Sequence, residues 1–165
     1  MYIYTVKLRY MRVLVGYIGY LFKGDCAVGL RAGELLRSKG VEAVELSGDV
    51  FTMVDELMKL KPDKLILIGA VQRGRRPGTV EVYKFTPRSF GSPLEINDAL
   101  RPSLEGRISL EDLLIGLSVL GRPTDEIYVV ECEPPRPDPV IGLSPEGEKC
   151  AEELAKRAEE LYVQA

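Results

Sequence analysis

Histidine is absent from all 165 residues. That excludes a Ser/His/Asp triad, leaves any serine, threonine or cysteine nucleophile without its commonest general base, and removes imidazole from any metal site. Cysteine is scarce: Cys26, Cys132 and Cys150 are odd in number and share no CxxC spacing. The pattern therefore predicts neither a disulfide framework nor a zinc knuckle, and a reducing cytoplasm fits it. Long apolar runs are missing too. No stretch approaches the roughly 20 residues that span a bilayer, and MYIYTVKLRY lacks the apolar core of a secretory leader. Neither membrane nor secretion is expected. Basic charge is not in excess, with 22 Lys and Arg against 25 Asp and Glu and a net charge of -3, so nothing recommends nucleic acid as a partner. Internal repeats and linkers are also lacking. Residues 1–165 read as a single domain, long enough to bury its own core.

What is present is an alternation of strand and helix. Met11 to Ile18 is a short apolar run closed by Gly19 and predicts a buried strand. A helix follows from about Asp25, with Val28, Ala32, Leu35 and Leu36 at helical spacing and Gly40 as its C-terminal glycine. Val41 to Leu46 is the second strand. Phe51, Val54, Leu57 and Met58 mark the next helix, which ends before Pro62, and Leu65-Ile66-Leu67-Ile68 is a fully apolar third strand. Only Gln72 to Gly78 separates that strand from the alternating Thr79 to Phe85, too short a loop for a crossover helix, so the fourth strand is predicted antiparallel at a sheet edge. Residues 86–107, with Pro87, Pro93 and Pro102, read as irregular. Ser109 and Asp112 make a capping-box signature for a helix ended by Gly121, Ile127 to Cys132 is the last strand, and Ser144-Pro145 opens the final helix. The expected fold is a three-layer αβα sandwich around a mostly parallel sheet of about five strands with one antiparallel edge strand.

In such sheets ligands bind beyond the carboxyl ends of the strands, which directs attention to Gly19 to Cys26, Ser47 to Asp49, Gly69 to Gln72 and the residues from Glu133 onward. The loop GYIGYLFKGDCAVG opens a helix but is neither GxGxxG nor a P-loop, and a tight strand-to-helix turn explains its glycines. Asp25 is expected to cap the first helix and Asp49 the second. Cys26 is either a thiolate favoured by the helix dipole or a small buried apolar side chain. Arg73, Arg75 and Arg76 can grip phosphate or carboxylate, or simply be solvated in a hairpin loop. Asp25, Asp49, Glu105 and Glu111 are the carboxylates available for acid–base work, but spacing alone brings no two of them together.

Four stretches, taken in order, resemble the nickel-iron hydrogenase maturation endopeptidases, which trim the C-terminal tail of the hydrogenase large subunit after nickel is inserted. They are Met11 to Val15 with Gly19-Tyr20-Leu21 and Asp25-Cys26-Ala27-Val28-Gly29; Ser47-Gly48-Asp49; Pro77-Gly78-Thr79; and Ile141-Gly142-Leu143-Ser144-Pro145-Glu146. The likeness covers 11–161 and makes 1–10 an N-terminal extension. It implies nickel held by a glutamate, an aspartate and a histidine, at places where this chain departs from the pattern. The glutamate's place is Cys26 and the aspartate's is Gly69. The histidine's place is Gly106 by distance from Gly121, or Glu111 when Ser109 anchors the match, with Glu105 adjacent to Gly106. Tyr20 replaces the asparagine of the family's opening turn. A divalent ion with an open position needs about three protein ligands. The expectation is that no metal or other cofactor is held and no residue is assigned a catalytic role, although Cys26 with one carboxylate can in principle take a softer ion. The expected pocket comprises Gly19, Tyr20, Asp25, Cys26, Ser47, Gly48, Asp49, Gln72 and Glu105.

The expected function is that of a catalytically altered or inactive homologue that binds a hydrogenase-like large subunit during its maturation. The alternative is an active endopeptidase with a modified site. A small-molecule-binding α/β domain is the outside reading.

Overall fold

The computed structural model describes residues 11–20, 23–104 and 109–164. Strands β1 (Val13–Tyr17), β2 (Ala43–Glu45), β3 (Lys64–Ala70), β4 (Val80–Lys84) and β5 (Ile127–Cys132) form one sheet in the order β2-β1-β3-β5-β4. All neighbours pair in parallel except β4 with β5, which is antiparallel at the edge as the short loop before it requires. β1 and β3 are buried along nearly their whole length because helices cover both faces, the condition under which a strand reads as one apolar run.

Helices α1 (Val28–Ser38) and α5 (Pro145–Val163) lie on one face, over a core that includes Val15, Ile66, Val130, Leu36 and Leu154. Helices α2 (Val50–Leu60) and α4 (Leu110–Val119) lie on the other, with Leu14, Leu67, Val129, Met53, Leu57 and Leu113. The three layers of the expected sandwich are therefore present. Asp49 accepts from Thr52 N at 2.8 Å at the start of α2, and Ser109 and Asp112 form a reciprocal capping box at α4. Ser144 caps α5 with Pro145 in its first turn, and Gly40 takes the positive φ of a helix stop.

Three expectations are corrected. The stretch 86–107 contains a helix, α3 (Pro93–Leu104), since Pro93 stands at its first position and Ser92 Oγ accepts from Glu95 N. Proline is a helix starter there, not a breaker. Asp25 does not cap α1, which follows a short 3-10 turn, Gly24–Ala27, and has no side-chain cap. The carboxylate of Asp25 turns instead to donors far along the chain. Finally, Cys132 and Cys150 form a disulfide. Its halves come from the end of β5 and the second turn of α5, 18 residues apart, so tertiary packing brings together what no short spacing announces.

Candidate functional site

A cavity of about 490 Å³ opens at the carboxyl end of β1 and β3. Gly19, Tyr20 and Cys26 line one part of it, Val71 and Gln72 another, and Ser109, Leu110, Glu111 and Asp112 at the start of α4 a third. Lys23, also in its wall, donates from Nζ to Gln72 Oε1 at 3.1 Å. Of the residues expected in the pocket, Gly19, Tyr20, Cys26 and Gln72 are thus brought together, and Glu111 joins them. Ser47, Gly48 and Asp49 form the turn before α2, where Gly48 has φ +91° and Asp49 serves as cap. Glu105 and Gly106 lie outside the described residues.

Asp25 is fully buried and belongs to a different construction. It accepts from Ser144 N at 2.8 Å, Ser144 Oγ at 2.6 Å and Arg136 N at 2.9 Å. It therefore joins the turn after β1 to the start of α5, satisfying a buried carboxylate with three donors. Gly147 has no side chain for the same reason: a Cβ there would sit 2.0 Å from Asp25 Oδ1.

Gly69 lies on the face of β3 turned to α4. A Cβ at this position would meet the carbonyl oxygen of Ile18 at 2.9 Å and Leu110 Cβ at 3.4 Å. Gly29 of α1 packs against the same point, with its own Cβ position 3.1 Å from Gly69 Cα. The Ile18 carbonyl and Leu110 close over the spot, so a longer side chain at 69 would have to move the main chain at Ile18.

Beside Gly69, directly opposite in the β3–β5 register, stands Glu131, with no exposed surface. Arg73, in the loop after β3, grips it with Nε to Oε2 at 2.5 Å and Nη2 to Oε1 at 3.0 Å. Arg75 Nη1 adds a contact at 2.8 Å and Tyr83 donates from Oη at 2.6 Å. Glu133 accepts from Arg73 N at 2.8 Å and Arg75 Nε at 3.1 Å. The arginine loop therefore grips carboxylates of its own chain, which decides between the readings its sequence left open for Arg73 and Arg75; Arg76 is exposed. Burial pushes the Glu131 carboxyl up, but the hydrogen bonds from Arg73 and Tyr83 and the arginine charges overcome this and hold it below the ordinary carboxylate range. Glu133 is lowered in the same way, with burial opposed by the Arg73 and Arg75 donors. Tyr83 is raised, by burial first and by Glu131 second.

Glu111 is engaged on both sides. Its Oε2 accepts from Arg73 Nη1 at 2.7 Å, and its Oε1 meets Arg88 Nη2 at 2.5 Å as an ion pair without hydrogen-bond alignment. The half-buried Cys26 thiol is raised by burial, against the lowering influence of Lys23, so it is a poor thiolate at neutral pH. Of the implied ligand places, Gly69 has no side chain, Cys26 offers a thiol where a carboxylate is implied, and Glu111, the third place when Ser109 anchors the match, is held by two arginines, while Gly106, the third place by distance from Gly121, lies outside the described residues; the described ones do not make a divalent metal centre. Among the described residues no group of three or more Cys, Asp or Glu side chains is placed to hold a metal ion.

Tyr83 and Glu131 are not among the residues the sequence singles out, and Lys23 lies within the Gly19 to Cys26 stretch without being named. A glutamate in the otherwise apolar strand Ile127–Cys132, with three arginines in a nearby loop, was the available signal. Buried carboxylates are rarely left unpaired.

No family model matches the sequence, and no curated protein matches it. Solved structures do. The hydrogenase maturating endopeptidase HybD from E. coli is 23% identical over 93% of each chain, with a TM-score of 0.66. The NiFe hydrogenase maturation protease HybD from Thermococcus kodakarensis is 23% identical over 92% of this chain and 99% of its own, with a TM-score of 0.60. The NiFe hydrogenase maturation protease HycI from the same organism is 20% identical over 98% and 99%, with a TM-score of 0.59. The resemblance read from the four sequence stretches is thus met by structure, and the chain has the fold of the NiFe hydrogenase maturation endopeptidases.

Proposed function

We propose that this chain is a maturation protease-like protein that binds a hydrogenase-like large subunit, or its precursor, during maturation without cleaving it. One observation carries the reading: at the places where the resemblance implies metal ligands stand Cys26, a thiol in place of a carboxylate, and Gly69, closed in by Ile18 and Leu110, while the third falls on Glu111, bound by Arg73 and Arg88, when Ser109 anchors the match. Among the described residues, cleavage that depends on a bound divalent ion has no ligand set to work with. The cavity and the fold around it remain available for docking. A cytoplasmic location goes with this reading. The Cys132–Cys150 disulfide, a bond that reducing compartments seldom preserve outside hyperthermophiles, weighs against it, and a thiol count on protein taken directly from cells measures that weight.

The test is incubation of the full chain with each hydrogenase-like large-subunit precursor of its own organism, reading complex formation by size-exclusion chromatography and C-terminal mass loss by mass spectrometry. A stable complex without mass loss is expected. Mass loss would instead establish an active endopeptidase with a modified site. Calorimetric titration of the wild-type chain with Ni²⁺ is expected to show no micromolar binding, and such binding abolished by Cys26→Ala would overturn the reading of the site.

A further inference from the structure

We infer that the Cys132–Cys150 bond is a redox-operated clasp on the cavity wall: closed, it holds the loop 133–149 as a clip over the turn Gly24–Ala27, and opened by a dithiol it lets that turn loosen, carrying Cys26 and the adjoining Lys23 with it. The loop that the bond closes runs from the end of β5 to the second turn of α5, and the partners of the turn lie within it. Arg136 N and Ser144 N and Oγ donate to the Asp25 carboxylate. The Val140 carbonyl accepts from Gly24 N at 2.8 Å and the Arg136 carbonyl from Asp25 N at 2.9 Å. The two segments lie so close that a Cβ on Gly24 would stand 2.5 Å from the Arg136 carbonyl oxygen and 3.0 Å from that of Asp138.

The bond bears on the cavity wall from both of its ends. Cys150 follows Gly147 by three residues on α5 and so shares the face laid against Asp25, the neighbour of Cys26. The Cys132 carbonyl accepts from Val71 N at 2.9 Å, and Val71 lines the cavity. Closing a loop limits the conformations it gains on lifting away, so the bond favours the seated clip. Val140 and Ile141 are exposed, which leaves the middle of the clip little apolar packing of its own. Beyond Cys150, α5 is held by Ala151, Leu154 and Ala158 in the core, so opening the bond frees its first turns without undocking the helix. The chemical step is thiol–disulfide exchange: the dithiol attacks one sulfur, the S–S bond breaks, and the mixed disulfide resolves as the dithiol closes its own S–S bond. Two electrons and two protons pass to Cys132 and Cys150, which become thiols. Both sulfurs are buried, and Cys150 Sγ lies 4.0 Å from the carbonyl oxygen of the exposed Gly78, so that turn is a cover the dithiol has to displace.

The clasp acts on the wall whatever the cavity binds, so it stands or falls apart from the proposed function. Amide hydrogen exchange is followed by NMR in the oxidised wild type, the wild type in dithiothreitol, and the Cys132→Ser, Cys150→Ser double variant. Opening the bond is expected to speed exchange at Gly24 and Asp25 about tenfold. Thr52 N, fastened by Asp49 on the opposite layer, is expected to stay unchanged. Iodoacetamide is expected to label Cys26 faster in the double variant than in the oxidised wild type by a similar factor, and reoxidation of the reduced wild type is expected to restore slow exchange. Should the double variant fail to fold, the reduced wild type carries the exchange comparison. Unaltered rates at Gly24 and Asp25 overturn the inference, and so does equal acceleration at Thr52. A bond that dithiothreitol leaves closed in the folded chain, or a reduced chain that unfolds, overturns it as well, because the bond is then a staple and not a clasp.

Discussion

The two helical layers are fastened differently at the carboxyl edge of the sheet. On the α1 and α5 side one buried carboxylate, Asp25, is met by the backbone and hydroxyl donors of Arg136 and Ser144, and the Cys132–Cys150 bond ties strand to helix. On the α2 and α4 side the buried carboxylate is Glu131, met by two guanidinium groups and a phenol, with Glu111 and Glu133 drawn into the same cluster. The first is a covalent bond with mostly neutral donors. The second is an assembly of charges whose strength lies in mutual compensation, so losing one member leaves the others paying desolvation without a partner. Of the two fastenings, the second is the one whose members, through Glu111, form part of the cavity wall.

Breaking each fastening sharpens that contrast. The largest effect is expected from Glu131→Ala, which removes the buried centre of the cluster, leaves Arg73 to Glu111 and Arg75 to Glu133 and Glu81, and should cost about 3–5 kcal/mol in urea unfolding. Glu131→Gln, which keeps the Tyr83 contact, should cost less. On the other side, Cys150→Ser should cost about 3 kcal/mol, the amount a loop of this length contributes through the unfolded chain, and wild-type protein in reductant should match it.

A smaller effect separates the fastenings by pH. Glu131 and Glu133 have folded-state pKa values below their ordinary value of 4.5, so the stability they supply is complete above that value and is lost as pH falls through the depressed folded values. Acid melts of the wild type should steepen below about pH 4, and Glu131→Gln should flatten that limb. The smallest effect is chemical. Cys26 is the one described free cysteine, and iodoacetamide should label it slowly at neutral pH and faster as pH rises toward and past 9.0, its rate tracking the raised thiol pKa. Fast labelling at neutral pH would restore Cys26 as a candidate nucleophile or ligand.

Local signals carried most of the fold. Hydrophobic period, the loop of Gln72 to Gly78 and the caps at Asp49, Ser109 and Ser144 act within a few residues, and the strands, the antiparallel edge and four of the five α-helices among the described residues follow from them. α3 is hidden from a local reading because proline breaks helices at most positions, whereas Pro93 occupies the first helical position, which favours it. The site was legible only in part. Gly19, Tyr20, Cys26 and Gln72 follow strand ends and so could be gathered by topology, but the partners of Asp25 lie 111 and 119 residues away, and those of Arg73 lie 38 and 58 away.

By itself the sequence determined the layer order, the parallel sheet with its reversed edge, and the lack of imidazole anywhere in the chain, because period, loop length and composition need no knowledge of what lies across the molecule. Tertiary structure alone decided that Asp25 serves α5 and not α1, that Cys132 meets Cys150, and that Arg73 joins Glu111 to Glu131. Each of these is settled by burial, since a charged or reactive group taken out of water accepts whatever partner the fold brings within reach, however distant along the chain.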